Sequence, residues 1–308
     1  MSHPQPDLGD EAVGLTAAIS WEGPFALATP ALREVRAGFR LGPLIIDVES
    51  PGGEGIEKLM SWYGDHRCEP SGQAVLRFLP PEFIPDDVRK ALAAEALDRD
   101  QVGILTESPV AGGRDVALSG RDFRALIDVI GRRGRALLLS DDRRTMDTVV
   151  RIAASLFLPG LDALLVHGSS FELNGRGIAA MGPSGSGKTT LSRLSGRTIL
   201  ADEISLLALT PAGTVTVGGT PFAKSPAPAP RPPLSLGKLL VLAKDNGAFL
   251  EPIPTDRQMP AFLRNIIHYG PDAAGFDRVA GLAARILDSR PLERLHFAEN
   301  PSFLEVLS

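Results

Sequence analysis

GPSGSGKT occupies residues 182–189, and the fold of the surrounding chain turns on how it is read. The segment fits the pattern G-x-x-x-x-G-K-[ST], in which each fixed residue has a physical job. Glycines at 182, 185 and 187 let the backbone curl until successive N–H groups point into one hollow, a natural receptor for an anion. A helix beginning at Lys188 turns its first N–H groups toward the same hollow. On this reading Gly182, Ser184, Gly185, Ser186, Gly187, Lys188, Thr189 and Thr190 cradle the phosphates of a nucleoside triphosphate. Lys188 reaches the outer phosphates, and the Thr189 hydroxyl ligates Mg²⁺. The motif requires a strand before it and a helix after it. IAAM at 178–181 suits a short buried strand and KTTLSRL at 188–194 suits a helix.

Downstream, TILA at 198–201 leads into Asp202-Glu203, an apolar strand ending in two carboxylates. Asp202 lies only fourteen residues beyond Lys188 (202 minus 188), room for a short helix, a turn and one strand. The acidic strand is therefore expected to follow directly from the loop helix, with both acids near the terminal phosphate and its metal. Upstream, LLVHGSSFEL at 164–173, Asn174-Gly175 and the run from Arg176 to Gly182 predict a β-hairpin, because Asn-Gly is a strong two-residue turn signal. With a two-residue loop, paired numbers sum to 349 and His167 lies opposite Gly182. With a four-residue loop, His167 lies opposite Ser184. Either register brings His167 to the mouth of the loop, where it can hydrogen-bond a phosphate or an acceptor hydroxyl, or serve only as part of the strand.

These residues together resemble the HPr kinase/phosphorylase family, and more closely the HPr-kinase-related proteins that include the kinases of peptide-modification clusters. The likeness is good from His167 to Leu207. It extends loosely through Gly219-Thr-Pro-Phe222 and the terminal stretch 294–307 (RLHFAENPSFLEVL). The resemblance implies an α/β fold: a C-terminal P-loop kinase domain of the HPr kinase/phosphoenolpyruvate carboxykinase type, preceded by a smaller α+β region. It also implies transfer of the γ-phosphoryl of ATP to a serine hydroxyl, with Mg²⁺. Position by position, Lys188 matches the phosphate-binding lysine and Asp202 the acid acting on the serine proton. Glu203 matches a metal-site acid beside Thr189, and His167 the neighbouring histidine. HPr kinase proper has two aspartates where this chain has Asp202-Glu203, and no counterpart of its glycine-rich phosphorolysis segment follows Leu209. The expected partner is thus a peptide or small protein other than HPr. A small-metabolite hydroxyl kinase and a nucleotide-binding regulatory module with little turnover are the alternatives.

Around this centre the sequence divides into an N-terminal tail (1–20), a first α+β region (21–140) and a loop-bearing domain (141–308). In the first region, 39–48, 74–78, 115–118 and 135–140 read as strands, while 55–63 and 123–130 read as helices. In the second, Asp141 or Asp142 can cap a helix whose apolar face is Met146, Val149, Val150, Ile152 and Ala153. LPG at 158–160 stops that helix. Helices are expected near 256–268 and 277–288, and a last strand near 294–297. PAPAPRPP at 226–233 cannot continue a helix or a central strand, and with Lys224 it suggests a lid or a plain connecting loop.

The 308-residue chain is 44% hydrophobic and 22% charged, ordinary values for a globular protein. A net charge of −5 offers no basic field for nucleic acid. The longest apolar run, 156–166, is broken by Pro159, Gly160 and Asp162, so no membrane span is expected. The first residues are acidic and polar, the reverse of a secretory signal, and a cytoplasmic protein is expected. The lone Cys68 permits neither an intrachain disulfide nor a multi-cysteine metal site.

Overall fold

A computed structural model describes residues 35–94, 102–105, 115–140, 142–223, 228–270 and 272–308. The chain is α/β, with two mixed sheets and helices. It separates into two compact units that exchange segments. One comprises Met1–Ala37, Asp47–Leu59 and Ser71–Ala153, the other Gly38–Ile46, Met60–Pro70 and Ala154–Ser308. The sequence reading places a single boundary near residue 140. The longest segments of the two units meet between Ala153 and Ala154, and two short early segments belong to the later unit.

Among the described residues the first sheet has eight strands: β1 (Val35–Leu41), β2 (Leu44–Ser50), β3 (Arg67–Cys68), β4 (Ala74–Leu79), β5 (Val102–Leu105), β6 (Asp115–Gly120), β7 (Phe123–Asp128) and β8 (Arg133–Leu138). Their order is β3-β1-β2-β4-β8-β7-β6-β5, and β4 and β8 run parallel. Helices α1 (Glu54–Tyr63) and α2 (Asp86–Ala94) belong to the same half of the sequence.

Two expectations fail here, each for a physical reason. Residues 123–130 form no helix, because 123–128 is the strand β7, paired antiparallel with β6 and β8. Its apolar residues are buried on both faces, and Arg124 is fully buried as well, its guanidinium donating to the carbonyls of Gly120 and Phe123. A short apolar run has no period that separates a buried strand from a helix. Asp128 then accepts from the amides of Ile130 and Gly131, a turn that ends the segment. Residues 39–48 are likewise two strands, divided at Gly42, whose φ of 58° reverses the chain before Pro43. Helix α2 has no counterpart among the sequence expectations. The tail 1–20, Asp141 and Lys224 lie outside the described residues.

The helix after Asp142, α3 (Arg143–Phe157), is capped as expected. Asp142 Oδ1 accepts from the amides of Arg144 (2.8 Å) and Thr145 (3.0 Å). Burial pushes the Asp142 pKa up, but hydrogen bonds from Ser140, Thr145 and Arg144 outweigh it and hold the carboxyl below its ordinary value.

The second sheet has nine strands among the described residues: β9 (Ala163–Leu173), β10 (Arg176–Met181), β11 (Ile199–Ala201), β12 (Ile204–Leu209), β13 (Val215–Gly218), β14 (Leu234–Lys244), β15 (Phe249–Pro252), β16 (Ile266–Ile267) and β17 (Leu292–Phe297). The path runs β10-β9-β12-β13-β14-β17-β15, with β11 and β16 also on β9. Strand β14 pairs in parallel with both β10 and β17. The remaining helices are α4 (Lys188–Leu194), α5 (Thr255–Leu263), α6 (Ala273–Ser289) and α7 (Phe303–Leu307). Ile178 and Ala180 join one apolar cluster with Leu191, Leu240 and Phe297, whereas Ala179 and Met181 join another with Val166, Phe262 and Ile286. Alternation along β10 therefore buries both of its faces, each large side chain contributing about 1.5–3 kcal/mol.

Candidate functional site

Strand β9 organises the site. The hairpin to β10 closes through Asn174 and Gly175, with φ of 52° and 74°, the positive angles that a two-residue turn needs. The register has Leu173 opposite Arg176 and Gly168 opposite Met181, so paired numbers sum to 349. Of the two registers that the sequence allows, this is the one with a two-residue loop. His167 is the next residue along. It pairs with Ile204 of β12 on the other edge of β9, and its amide donates to Asn265 O at 2.7 Å. The amide of Gly168 donates to Glu203 O at 3.0 Å.

The pair His167-Gly168 thus has the end of β10 on one side and the acidic bend on the other. Gly168 has no room for a side chain, since an added Cβ would lie 2.8 Å from Ala180 O.

After Met181 the chain enters the loop, where Gly182, Gly185 and Gly187 take φ of 152°, 80° and 96°. A Cβ on Gly182 would lie 2.6 Å from Ser186 Oγ, and one on Gly187 would lie 2.7 Å from Phe297 Cζ. Lys188, only 8% exposed, folds back over this loop, and its ammonium donates to Gly182 O (2.6 Å) and Pro183 O (3.0 Å). A buried ammonium requires such partners, and these hold the positive charge inside the turn of the loop. Ser169 Oγ donates to Lys188 O at 2.9 Å, tying the first residue of α4 to β9. Ser184 and Gly185 are exposed at the crest, while Thr189 and Thr190 are half-buried at the start of α4. Ser186 Oγ is buried and has no hydrogen-bond partner among the described residues.

Asp202 and Glu203, both half-buried, form the bend between β11 and β12. The segment 219–222 packs beside them: Thr220 Oγ1 donates to Ile204 O at 2.6 Å, and a Cβ on Gly219 would lie 2.3 Å from Leu200 O. Among the described residues no group of three or more His, Cys, Asp or Glu side chains could hold a metal ion. Phe297, Ser169 and Asn265 support the site without having been singled out by the sequence. The packing of Phe297 under Gly187 comes from sheet topology, which leaves no local signal.

Asn265 belongs to a segment that continues to His268, whose Nδ1 lies 3.4 Å from Ser155 O while Nε2 has no partner among the described residues. Burial lowers the pKa of His268, against smaller opposing effects of the Ser155 carbonyl and Asp272. Burial likewise lowers that of His66, which is 5% exposed. In the unfolded chain both rings titrate near about 6.5, so as pH falls the unfolded state takes up protons first. The stabilisation from the neutral rings is full above about pH 6.5 and is lost as pH falls toward the folded values. The urea midpoint is expected to drop between pH 7 and pH 5, above the range where the carboxylates titrate. The double variant His66→Gln/His268→Gln should show a flatter profile over that interval. An equal slope in wild type and variant would contradict the assignment.

Comparison with protein-family models and with curated proteins finds no match to this chain.

Proposed function

We propose that residues 182–189 bind the phosphates of Mg·ATP and that the protein transfers the γ-phosphoryl group to a serine hydroxyl of a peptide or small protein, as the HPr-kinase-like resemblance implies. The observation that carries this reading is the buried Lys188 ammonium, held on the loop's own carbonyls within a turn of three positive-φ glycines. A glycine turn of this kind, with a fixed cation beside it, suits an anion. The buried, partnerless Ser186 hydroxyl fits the same reading, since a phosphate oxygen would satisfy it.

Thr189 and Glu203 supply hard oxygen donors of the type Mg²⁺ takes. When bound, Mg²⁺ neutralises charge on the phosphoryl oxygens. Lys188 and the loop amides orient the phosphates and stabilise the charge that develops on them. Asp202 orients the acceptor hydroxyl and takes its proton. By the alternation of β9, His167 lies on the same strand face as Ser169, which holds α4, and it serves to position phosphate or hydroxyl. With a net charge of −5, a polypeptide acceptor is favoured over nucleic acid. No helix among the described residues is long and apolar enough to cross a membrane.

The test is incubation with γ-labelled ATP, Mg²⁺ and the peptides and small proteins encoded beside this chain. Label should appear on a serine, stable to acid and released by alkali. Label confined to a small metabolite would replace the peptide reading with metabolite phosphorylation. Binding without any labelled product would favour a regulatory module.

A further inference from the structure

The second unit also contains a cavity of about 300 Å³ that none of residues 182–189, 202 or 203 lines. Its walls include Leu206, Pro230 and Pro233, and three arginines line it: Arg40, Arg67 and Arg231. All three are exposed, and among the described residues none makes an ion pair. Asp65 is the only carboxylate among the lining residues, so three arginines less one aspartate leave the lining at +2, in a protein whose net charge is −5.

A second, separate sign is His66. It lines the same cavity at 5% exposure, the backbone of Arg40 and of Pro228 lies near enough to its ring to favour the charged form, and its Nε2 makes no hydrogen bond of normal geometry among the described residues. Arginines without acidic partners along the lining of a largely apolar concavity match a ligand with an oxyanion head and an apolar body. The volume is at the lower end of small-molecule sites, which run from about 300 to 1,000 Å³.

We infer that this cavity is a binding site for a small organic oxyanion, a phosphate or carboxylate carried on a compact apolar body, held by Arg40, Arg67 and Arg231. The probes are phenyl phosphate, benzoate and the neutral benzyl alcohol, titrated calorimetrically into the full chain at moderate salt. At least one anion should bind saturably to wild type and equally to Lys188→Ala, while benzyl alcohol should not bind. Arg67→Gln/Arg231→Gln should weaken binding about tenfold or more, and Arg40→Gln alone should weaken it measurably, with unchanged circular dichroism in both. Binding of phenyl phosphate alone would assign a phosphorylated ligand, and binding of benzoate alone a carboxylate. The inference is overturned if neither anion binds, if the arginine variants bind undiminished, or if binding disappears in Lys188→Ala, which would locate it at the glycine loop.

Discussion

The Lys188→Ala variant is expected to remain folded and to bind Mg·ATP at least about a hundredfold more weakly than wild type, with phosphoryl transfer lost in proportion. The magnitude follows from removing charge-assisted hydrogen bonds to phosphate, each worth roughly 1.5–3 kcal/mol. The fold should survive because α4 is anchored through Leu191, fully buried in a cluster with Phe171, Ile178, Leu240 and Phe297. Loss of the bonds to Gly182 O and Pro183 O will loosen the loop, so part of the effect comes through loop order. Lys188→Arg separates the two contributions. It keeps the charge on a larger head, and partial recovery of affinity would attribute the loss to charge rather than to the loop's shape. Calorimetry with circular dichroism as the folding control checks this, and undiminished affinity in Lys188→Ala would remove the loop from nucleotide binding.

Asp202→Asn is expected to separate binding from chemistry. The amide keeps the size of the carboxylate but cannot take a proton or carry its charge. Mg·ATP affinity should therefore stay near the wild-type value while transfer falls by about 10²-fold or more, the usual contribution of a general base. The substitution should be structurally mild, because Asp202 is half-buried at a bend and its neighbours are held independently. Ile204 O accepts from Thr220, and Glu203 O accepts from the Gly168 amide. Single-turnover kinetics on any accepted hydroxyl substrate, alongside equilibrium titration, give the two quantities. Equal loss of affinity and rate would recast Asp202 as a metal-site residue, and full activity would exclude it from the reaction.

Much of the backbone arrangement around the candidate site is legible in the sequence because its determinants are local. Asn174-Gly175 sets the turn, the turn sets the 349 register, and the register brings Gly168 to Met181 at the mouth of the loop. The short interval from Lys188 to Asp202 leaves room for only one helix and one strand, and α4 and β11 fill it. The contacts that complete the arrangement are long-range and have no local signature. Phe297 reaches Gly187 across more than a hundred residues because β14 lies between β10 and β17 as their common parallel neighbour. Assignment of residues 38–46 and 60–70 to the later unit is equally invisible to periodicity. In the stretch 123–130, burial on both faces erases the pattern that a one-faced element would show.

Whether residues 182–189 form a nucleotide site is tested by calorimetric titration of ATP into the wild-type chain with and without Mg²⁺, repeated on Lys188→Ala. The wild-type protein should show a single saturable site that strengthens with Mg²⁺, and the variant should lose it or bind at least about a hundredfold more weakly. Absence of saturable binding to the wild-type chain, or equal affinity in the two proteins, would contradict the assignment.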